Sequence, residues 1–117
     1  MVDVLIAEDV TAQAGLLELF VQSEHTVVGV ARDGDQAVEL AKLVTPDVVV
    51  MDLNMPKKNG IEATKEVTGL FPAIRVIIST GVVDDTSHQA ALDAGAETVL
   101  TKPFSDDELL DAIETVT

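Results

Sequence analysis

The 117-residue chain has no cysteine, and its only aromatic residues are three phenylalanines. Without cysteine, disulfides and thiolate metal sites are excluded. No apolar run approaches the roughly 20 residues that cross a bilayer, and no basic segment precedes the first apolar run. We therefore expect a cytoplasmic protein without a signal peptide. Because aromatic residues are so few, the core must be aliphatic, which is typical of a parallel sheet covered by helices on both faces.

Positive charge is also scarce, with seven Lys and Arg residues against 21 Asp and Glu residues and a net charge of −14. So acidic a surface repels phosphate backbones, and we expect this chain not to bind nucleic acid or an anionic membrane directly. Solubility alone accounts for the acidity, although a salty cytoplasm would favour the same composition.

Apolar runs alternate with helical patterns along the whole chain. Five short, β-branched segments are predicted to be strands: Val2–Ala7, Thr26–Ala31, Asp47–Met51, Ile74–Ser79 and Thr98–Leu100. This alternation predicts an α/β fold, with a parallel sheet, right-handed crossovers and helices on both faces. At this length we expect one domain, spanning residues 1–117.

The five predicted helices carry apolar residues at helical spacing. Their markers are Val10, Ala14, Leu17 and Val21; Ala37, Leu40, Ala41 and Val44; Ile61, Val67 and Leu70; Ala90, Ala91 and Ala94; and Leu109, Leu110, Ile113 and Val116. Ser105 and Glu108 form a predicted capping box, and Asp33 and Gln36 are predicted to form a similar pair. The pattern therefore places a helix after each strand.

Polar residues stand where four of the five strands end. They are Glu8, Asp9, Asp52, Thr80 and Lys102. In open α/β sheets ligands bind beyond the carboxyl ends of the strands, so we expect these side chains to share one site. Each has an ordinary explanation by itself, but their joint occurrence at equivalent points of the fold favours a functional site.

Three carboxylates in one site need a cation. Two carboxylates ~4 Å apart at an effective dielectric of ~20 repel by roughly 4 kcal/mol. An oxygen-only site with several carboxylates and room for water suits Mg²⁺, and Lys102 would neutralise part of the remaining charge. A metal-bound aspartate that faces a hydroxyl and an ammonium indicates phosphoryl transfer, with the carboxylate as nucleophile.

Several segments carry a resemblance to a known family. They are "LIAED", "VVVMDLNMPKKNG", "VIISTG", "AGAETVL" and "TKPF". Over essentially its full length the chain resembles the receiver domain of two-component response regulators, of the chemotaxis-regulator type. The resemblance implies a doubly wound, flavodoxin-like sheet with strand order 2-1-3-4-5.

The resemblance also implies roles for individual residues. Asp52 would be the phosphoacceptor, and Thr80 and Lys102 would contact the phosphoryl group. The metal ligands would be Glu8, Asp9, Asp52 and the backbone carbonyl of Asn54, with Mg²⁺ as the cofactor. The Lys102–Pro103 peptide is expected to be cis.

A receiver domain of this kind implies partners as well. A sensor histidine kinase would donate the phosphoryl group, and a downstream protein or output domain would bind the face formed by the fourth helix, fifth strand and fifth helix. A phosphorylation-dependent dimer is left open. We expect no enzymatic activity beyond self-catalysed phosphoryl transfer and slow autodephosphorylation. Whether the chain acts as a single-domain regulator or belongs to a longer protein is also left open.

Two positions depart from the family's pattern. Val99 stands where many members of that family have a tyrosine or phenylalanine, whose ring rotates inward on activation. Because this ring is missing, the usual coupling between the threonine and the aromatic residue is in doubt. Glu8 replaces the commoner first aspartate, a change that lengthens one ligand arm and should preserve metal binding. Lys57 and Lys58 are interpreted as solvated loop charges.

Other functions fit the sequence less well. A haloacid-type aspartyl phosphatase needs a second acid two residues after its nucleophile, and Asn54 occupies that position. A calcium loop starting at Asp52 would need glycine at its sixth position and glutamate at its twelfth, where this chain has Lys57 and Ala63. A nucleotide-binding domain would need a glycine-rich turn after the first strand, which is missing. A metal-binding structural module remains the other alternative.

Overall fold

The computed structural model describes residues 1–117 and contains five strands and five helices in strict alternation. The strands are β1 (Asp3–Ala7), β2 (Thr26–Ala31), β3 (Val48–Asp52), β4 (Arg75–Thr80) and β5 (Thr98–Thr101). The helices are α1 (Thr11–Gln22), α2 (Gly34–Val44), α3 (Gly60–Leu70), α4 (Asp85–Asp93) and α5 (Asp106–Val116). No helix has both the length and the apolar character needed to span a membrane.

All strands are parallel, and their order in the sheet is β2-β1-β3-β4-β5, which confirms the predicted doubly wound fold. The strand order reverses between β1 and β3, the point at which such sheets bind ligands. There Ala7 pairs with Met51, so the next residues along the two strands, Glu8 and Asp52, meet at the same edge.

Two aliphatic clusters cover the two faces of the sheet. We call them the α2–α3–α4 cluster, which includes Val49, Met51 and Ile78, and the α1–α5 cluster, which includes Val50 and Ile77. Successive residues of a strand point to opposite faces. The side chain of Asp52, two residues after Val50, therefore emerges on the face covered by α1 and α5.

Side-chain caps begin four of the helices. The predicted capping box of Ser105 and Glu108 is present at α5. Asp33 accepts a hydrogen bond from the Gln36 amide at 2.8 Å, but the Gln36 side chain bonds the Arg32 amide, so only half of that predicted box forms. Asn59 begins α3 with a second complete capping box, and Asp84 caps α4; neither was predicted from the sequence.

Two residues predicted to mark the apolar face of a helix are exposed, and three strands end one residue later than predicted. Val10 precedes α1 and is exposed, and Leu70 at the end of α3 is half exposed, so neither belongs to the core. Three strands extend one residue beyond their predicted ends, through Asp52, Thr80 and Thr101. The parallel ladder pairs main-chain groups whatever the side chain, so a polar residue at a strand end can still pair.

Candidate functional site

Three carboxylates cluster at the carboxyl edge of β1 and β3. One oxygen each from Glu8, Asp9 and Asp52 lies within 4.8 Å of the other two. Glu8 is fully buried, Asp52 keeps only 7% of its surface exposed, and Asp9 is exposed to solvent. The cluster thus has a buried floor and an open side, from which a cation and a reactant can enter.

Lys102 reaches this cluster from the loop between β5 and α5. Its Nζ donates hydrogen bonds to Glu8 Oε1 at 2.9 Å, to Asp52 Oδ1 at 3.2 Å and to Gln13 Oε1 at 2.8 Å. All three ammonium protons are therefore used, which fixes the position of the charge. The Lys102–Pro103 peptide is cis, as the resemblance implied.

Gln13 is a member of the site that sequence reasoning missed. It lies in the first turn of α1, exposed, with its amide oxygen on the Lys102 ammonium. Glutamine in a helix is usually a solvated residue, and the only signal was its position soon after the acidic end of β1.

Burial and charge shift the pKa values of the buried groups. Burial, and then the negative charge of Glu8, raise the pKa of Asp52 to about 6, despite the opposing charge of Lys102. Burial also opposes ionisation of Glu8, but its bonds to Lys102 and the Val10 amide hold the pKa of Glu8 below its usual value. Burial would lower the pKa of Lys102, yet the two carboxylates raise it above its usual value. The cluster thus contains three carboxylates but only one ammonium, which contacts two of them. This deficit of positive charge suits a divalent cation.

Thr80 borders the site without bonding the acids. Its hydroxyl accepts a hydrogen bond from the Val82 amide at 3.0 Å, and its carbonyl accepts one from the Lys102 amide at 2.7 Å. Thr80 therefore links the start of the β5–α5 loop, at Lys102, to the turn that leads into α4.

Asn54 lies in the loop after β3 and is exposed. Its backbone carbonyl accepts no hydrogen bond from the rest of the chain. The carbonyl is therefore free to serve as an oxygen ligand.

Close packing at two glycines and the ion pairs of Lys58 hold the β3–α3 loop in place. A side chain at Gly60 would collide with the main chain of Asp52, and one at Gly34 would collide with the main chain of Lys58. Lys58 Nζ pairs with Glu66 at 2.8 Å and more loosely with Asp35 at 3.5 Å.

The prediction that these loop lysines are simply solvated is therefore wrong for Lys58 and only partly right for Lys57. Lys57 Nζ lies 3.7 Å from Asp33 Oδ2 but stays largely exposed. Sequence patterns do not show which loop will lie against which helix end, so these pairs could not be predicted.

Three comparisons with known proteins agree with this geometry. A family model described as "Response regulator receiver domain" matches residues 4–114. The transcriptional regulatory protein PdtaR of Mycobacterium tuberculosis is 42% identical over 112 residues, which cover 95% of this chain and 54% of PdtaR. The chain thus spans about half the length of that relative.

Two further relatives match over nearly their whole length. The chemotaxis protein CheY of Halobacterium salinarum is 34% identical over 113 residues, which cover 97% of this chain and 94% of CheY. A crystal structure of the CheX–CheY complex of Borrelia burgdorferi with BeF3 and Mg²⁺ superimposes with a TM-score of 0.93 at 27% identity, covering 97% of this chain and 87% of the matched chain.

Proposed function

Because the chain belongs to the response regulator receiver domain family, we propose that Asp52 is its phosphoacceptor and that the receiver domain spans residues 1–117. Receiver domains are the phosphoacceptors of two-component systems, and the relatives lend no support to a phosphatase or a structural metal module. The environment of Asp52 carries the assignment. Asp52 is the last residue of β3, it lies in hydrogen-bond contact with Lys102, and it retains an exposed edge that a phosphodonor can reach.

The metal of this site would be Mg²⁺. Receiver domains bind Mg²⁺ in an acidic pocket, and the related CheX–CheY complex of Borrelia burgdorferi contains the same ion. Here the ligands would be Glu8, Asp9, Asp52 and the free backbone carbonyl of Asn54. Both Glu8 oxygens already accept hydrogen bonds, from Lys102 and the Val10 amide, but each retains a second lone pair. Bound Mg²⁺ would supply positive charge for the phosphoryl oxygens.

Lys102 and Thr80 would assist the transfer without exchanging a proton. The Lys102 ammonium, fixed by its three hydrogen bonds, lies beside the oxygen that would attack and can attract the incoming phosphoryl oxygens. The Thr80 hydroxyl can donate to one of those oxygens once they arrive. Asp52 has a pKa of about 6, so it is mostly ionised at neutral pH, as a nucleophile must be.

The chain would turn over no separate substrate. Asn54 stands where a haloacid-type phosphatase carries its general acid. The residues present therefore support only self-catalysed phosphoryl transfer from a donor and slow autodephosphorylation. We propose a cytoplasmic sensor histidine kinase as the donor and the same compartment for this chain.

A downstream protein or output domain would bind the face formed by α4, β5 and α5. PdtaR is a longer transcriptional regulatory protein, so an output domain of that kind is the occupant proposed for this face. A phosphorylation-dependent dimer is the other proposed partnership. The net charge of −14 disfavours direct contact with nucleic acid by this domain itself.

Phosphorylation of Asp52 can be tested with acetyl phosphate and Mg²⁺. Intact mass spectrometry should show the addition of one phosphoryl group to the unmodified chain and none to Asp52→Asn. Asp9→Asn should require a higher Mg²⁺ concentration for the same labelling. Asp47→Asn is the matched control, because Asp47 precedes the same strand at its opposite end, and it should be labelled normally. Full labelling of Asp52→Asn would contradict the assignment.

A further inference from the structure

The buried hydroxyl of Ser79 has no hydrogen-bond partner. Ser79 lies in β4 and is fully buried, and its Oγ is one of only three buried side-chain polar atoms in the chain without a partner, with His25 Nε2 and Thr64 Oγ1. Buried hydroxyls are almost always paired, because an unpaired one forfeits its bonds to water. An exception beside a reactive carboxylate therefore needs a physical account.

Ser79 is the strand neighbour of Asp52. The two are Cα partners across the parallel pair β3·β4, and Leu100 is the partner of Ser79 on the other side. Ile77 and Leu100 both belong to the α1–α5 side, so by strand alternation the Ser79 side chain emerges on the same face as that of Asp52. Neighbouring strands lie about 4.8 Å apart, so these two side chains are adjacent at the carboxyl ends of β3 and β4.

Asp52 has an acceptor that the protein leaves unused. Lys102 donates to Oδ1, whereas no protein hydrogen bond ends on Oδ2. Oδ2 has two lone pairs, so it can accept a hydrogen bond even when it also binds the proposed Mg²⁺. A serine side chain rotates among three staggered positions about a single bond, so its hydroxyl can turn toward β3. Thr80, one residue further along β4, emerges by the same alternation on the opposite face and bonds the Val82 amide. Of these two hydroxyl-bearing residues of β4, Ser79 is therefore the one on the same face of the sheet as Asp52.

We propose that the Ser79 hydroxyl accelerates loss of the phosphoryl group by donating a hydrogen bond to the Asp52 carboxylate as it leaves. This proposal rests on the proposed role of Asp52 as phosphoacceptor. In hydrolysis a water oxygen bonds to phosphorus, and the bond between phosphorus and the Asp52 oxygen breaks. Its electron pair returns to the carboxylate, and the water protons leave with inorganic phosphate and solvent. Ser79 keeps its proton throughout.

The hydrogen bond would be stronger in the transition state than before it. An acyl phosphate carries little charge on its carbonyl group, whereas negative charge grows on the carboxylate as the bond to phosphorus breaks. A donor aimed at that group therefore lowers the barrier to hydrolysis more than it stabilises the phosphorylated protein. The lifetime of the phosphorylated state would thus be set partly by one buried hydroxyl.

Ser79→Ala tests the proposal directly. The chain is phosphorylated with acetyl phosphate, the donor is removed, and the decay in Mg²⁺ is followed by intact mass. The phosphorylated state should last roughly three to ten times longer, the effect of one hydrogen bond. The melting temperature should be unchanged or higher, because the variant buries no unpaired hydroxyl. Ser79→Thr, which restores the hydroxyl, should return the lifetime toward that of the unmodified chain.

Thr64→Val is the matched control. It removes the other orphan hydroxyl, which is equally buried but lies on α3, on the opposite face of the sheet. Its phosphorylated lifetime should equal that of the unmodified chain.

An unchanged lifetime in Ser79→Ala, or a shorter one accompanied by a lower melting temperature, would show that Ser79 only fills space in the core. That result would overturn the role of Ser79 but not of Asp52. If the unmodified chain itself takes up no phosphoryl group at Asp52, the proposed function fails instead.

Discussion

At the scale of single residues, the proposed role of Asp52 as a nucleophile imposes requirements that conflict. A nucleophile must be ionised and reachable, yet it must also be held rigidly beside other charges. Asp52 is held at the end of a strand, with 7% of its surface exposed and Lys102 at 3.2 Å, and its pKa rises to about 6 because burial and Glu8 disfavour the charge. Strong pKa shifts of this kind accumulate at functional sites.

The raised pKa makes the Mg²⁺-free protein more stable in mild acid. The native state holds the Asp52 proton up to a pKa of about 6, whereas an aspartate in the unfolded chain has a pKa of 3.8. This stabilisation is fully present below pH 3.8 and is lost as the pH rises through 6. Between pH 7 and pH 5 the free energy of unfolding should therefore increase by about 1 kcal/mol. The pKa of Glu8 is lowered from 4.5, so the stability that ionised Glu8 contributes is lost only at pH values below the range from 5 to 7.

Urea unfolding at pH 5 and pH 7 in the presence of a chelator measures this change. Asp52→Asn should be more stable than the unmodified chain at pH 7 and should gain much less on acidification. Saturating Mg²⁺ should also remove the increase in the free energy of unfolding on acidification, because the cation keeps Asp52 ionised. An equal gain in Asp52→Asn would assign the pH dependence to other acids.

At the scale of secondary-structure elements, α4 is the helix least anchored to the core. It buries one residue, Ala91, whereas α2 and α3 bury four each. Because burial of apolar surface is the main force that holds a helix, α4 should move most easily. Its connection to β4 runs through Thr80 and the exposed Val82 and Val83.

Thr80 should therefore control how phosphorylation reaches α4. The Thr80 hydroxyl accepts a hydrogen bond from the Val82 amide. If it rotates toward a phosphoryl oxygen, we expect that bond to break and the turn before α4 to be released. Val99, on β5, packs against the α2–α3–α4 cluster but provides no aromatic ring to rotate, so Thr80 and Lys102 must carry the coupling. We expect Thr80→Ala still to accept phosphate but to lose most of the structural response.

Backbone chemical shifts before and after addition of beryllofluoride and Mg²⁺ measure that response. In the unmodified chain the largest changes outside the acidic cluster should fall between Gly81 and Phe104. Thr101→Ala is the control, since Thr101 is the strand partner of Thr80 but is exposed, and it should respond in full. Largest changes on α1 and α5, or a full response in Thr80→Ala, would show that the signal takes another route.

At the scale of the whole molecule, charge works against the fold. The net charge is −14, and no basic residue occupies the last turn of α1, α3, α4 or α5, where it would favour the helix. The surface acids repel one another. In 0.1 M salt, the repulsion between exposed charges more than about 10 Å apart is largely screened. High salt should therefore stabilise the domain.

Thermal melts in KCl from low to molar concentration measure the effect. We expect the melting temperature to rise by several degrees, corresponding to about 1–2 kcal/mol. A double variant, Glu24→Gln with Glu114→Gln, removes two of the 21 acids and should start higher and rise less. A melting temperature that does not depend on salt would dismiss adaptation to a salty environment and leave the receiver assignment unaffected.

The sequence by itself determined the alternation of strands and helices, the cap at Ser105 and the polar residues at the strand ends. These features depend on neighbours a few residues apart, through periodicity and local hydrogen bonds. The strand order was implied by family resemblance rather than by any pattern in the residues. The same holds for the particular roles given to Asp52, Thr80 and Lys102, which remain proposals.

Only the tertiary structure decided which side chains meet. Lys102 reaches Gln13 across 89 residues of chain and Glu8 across 94, and Ser79 stands beside Asp52 only because β3 and β4 pair in one register. A slip of one residue would turn the Ser79 side chain to the other face. Such contacts depend on how separate segments pack against each other, and no local pattern in the sequence contains that information.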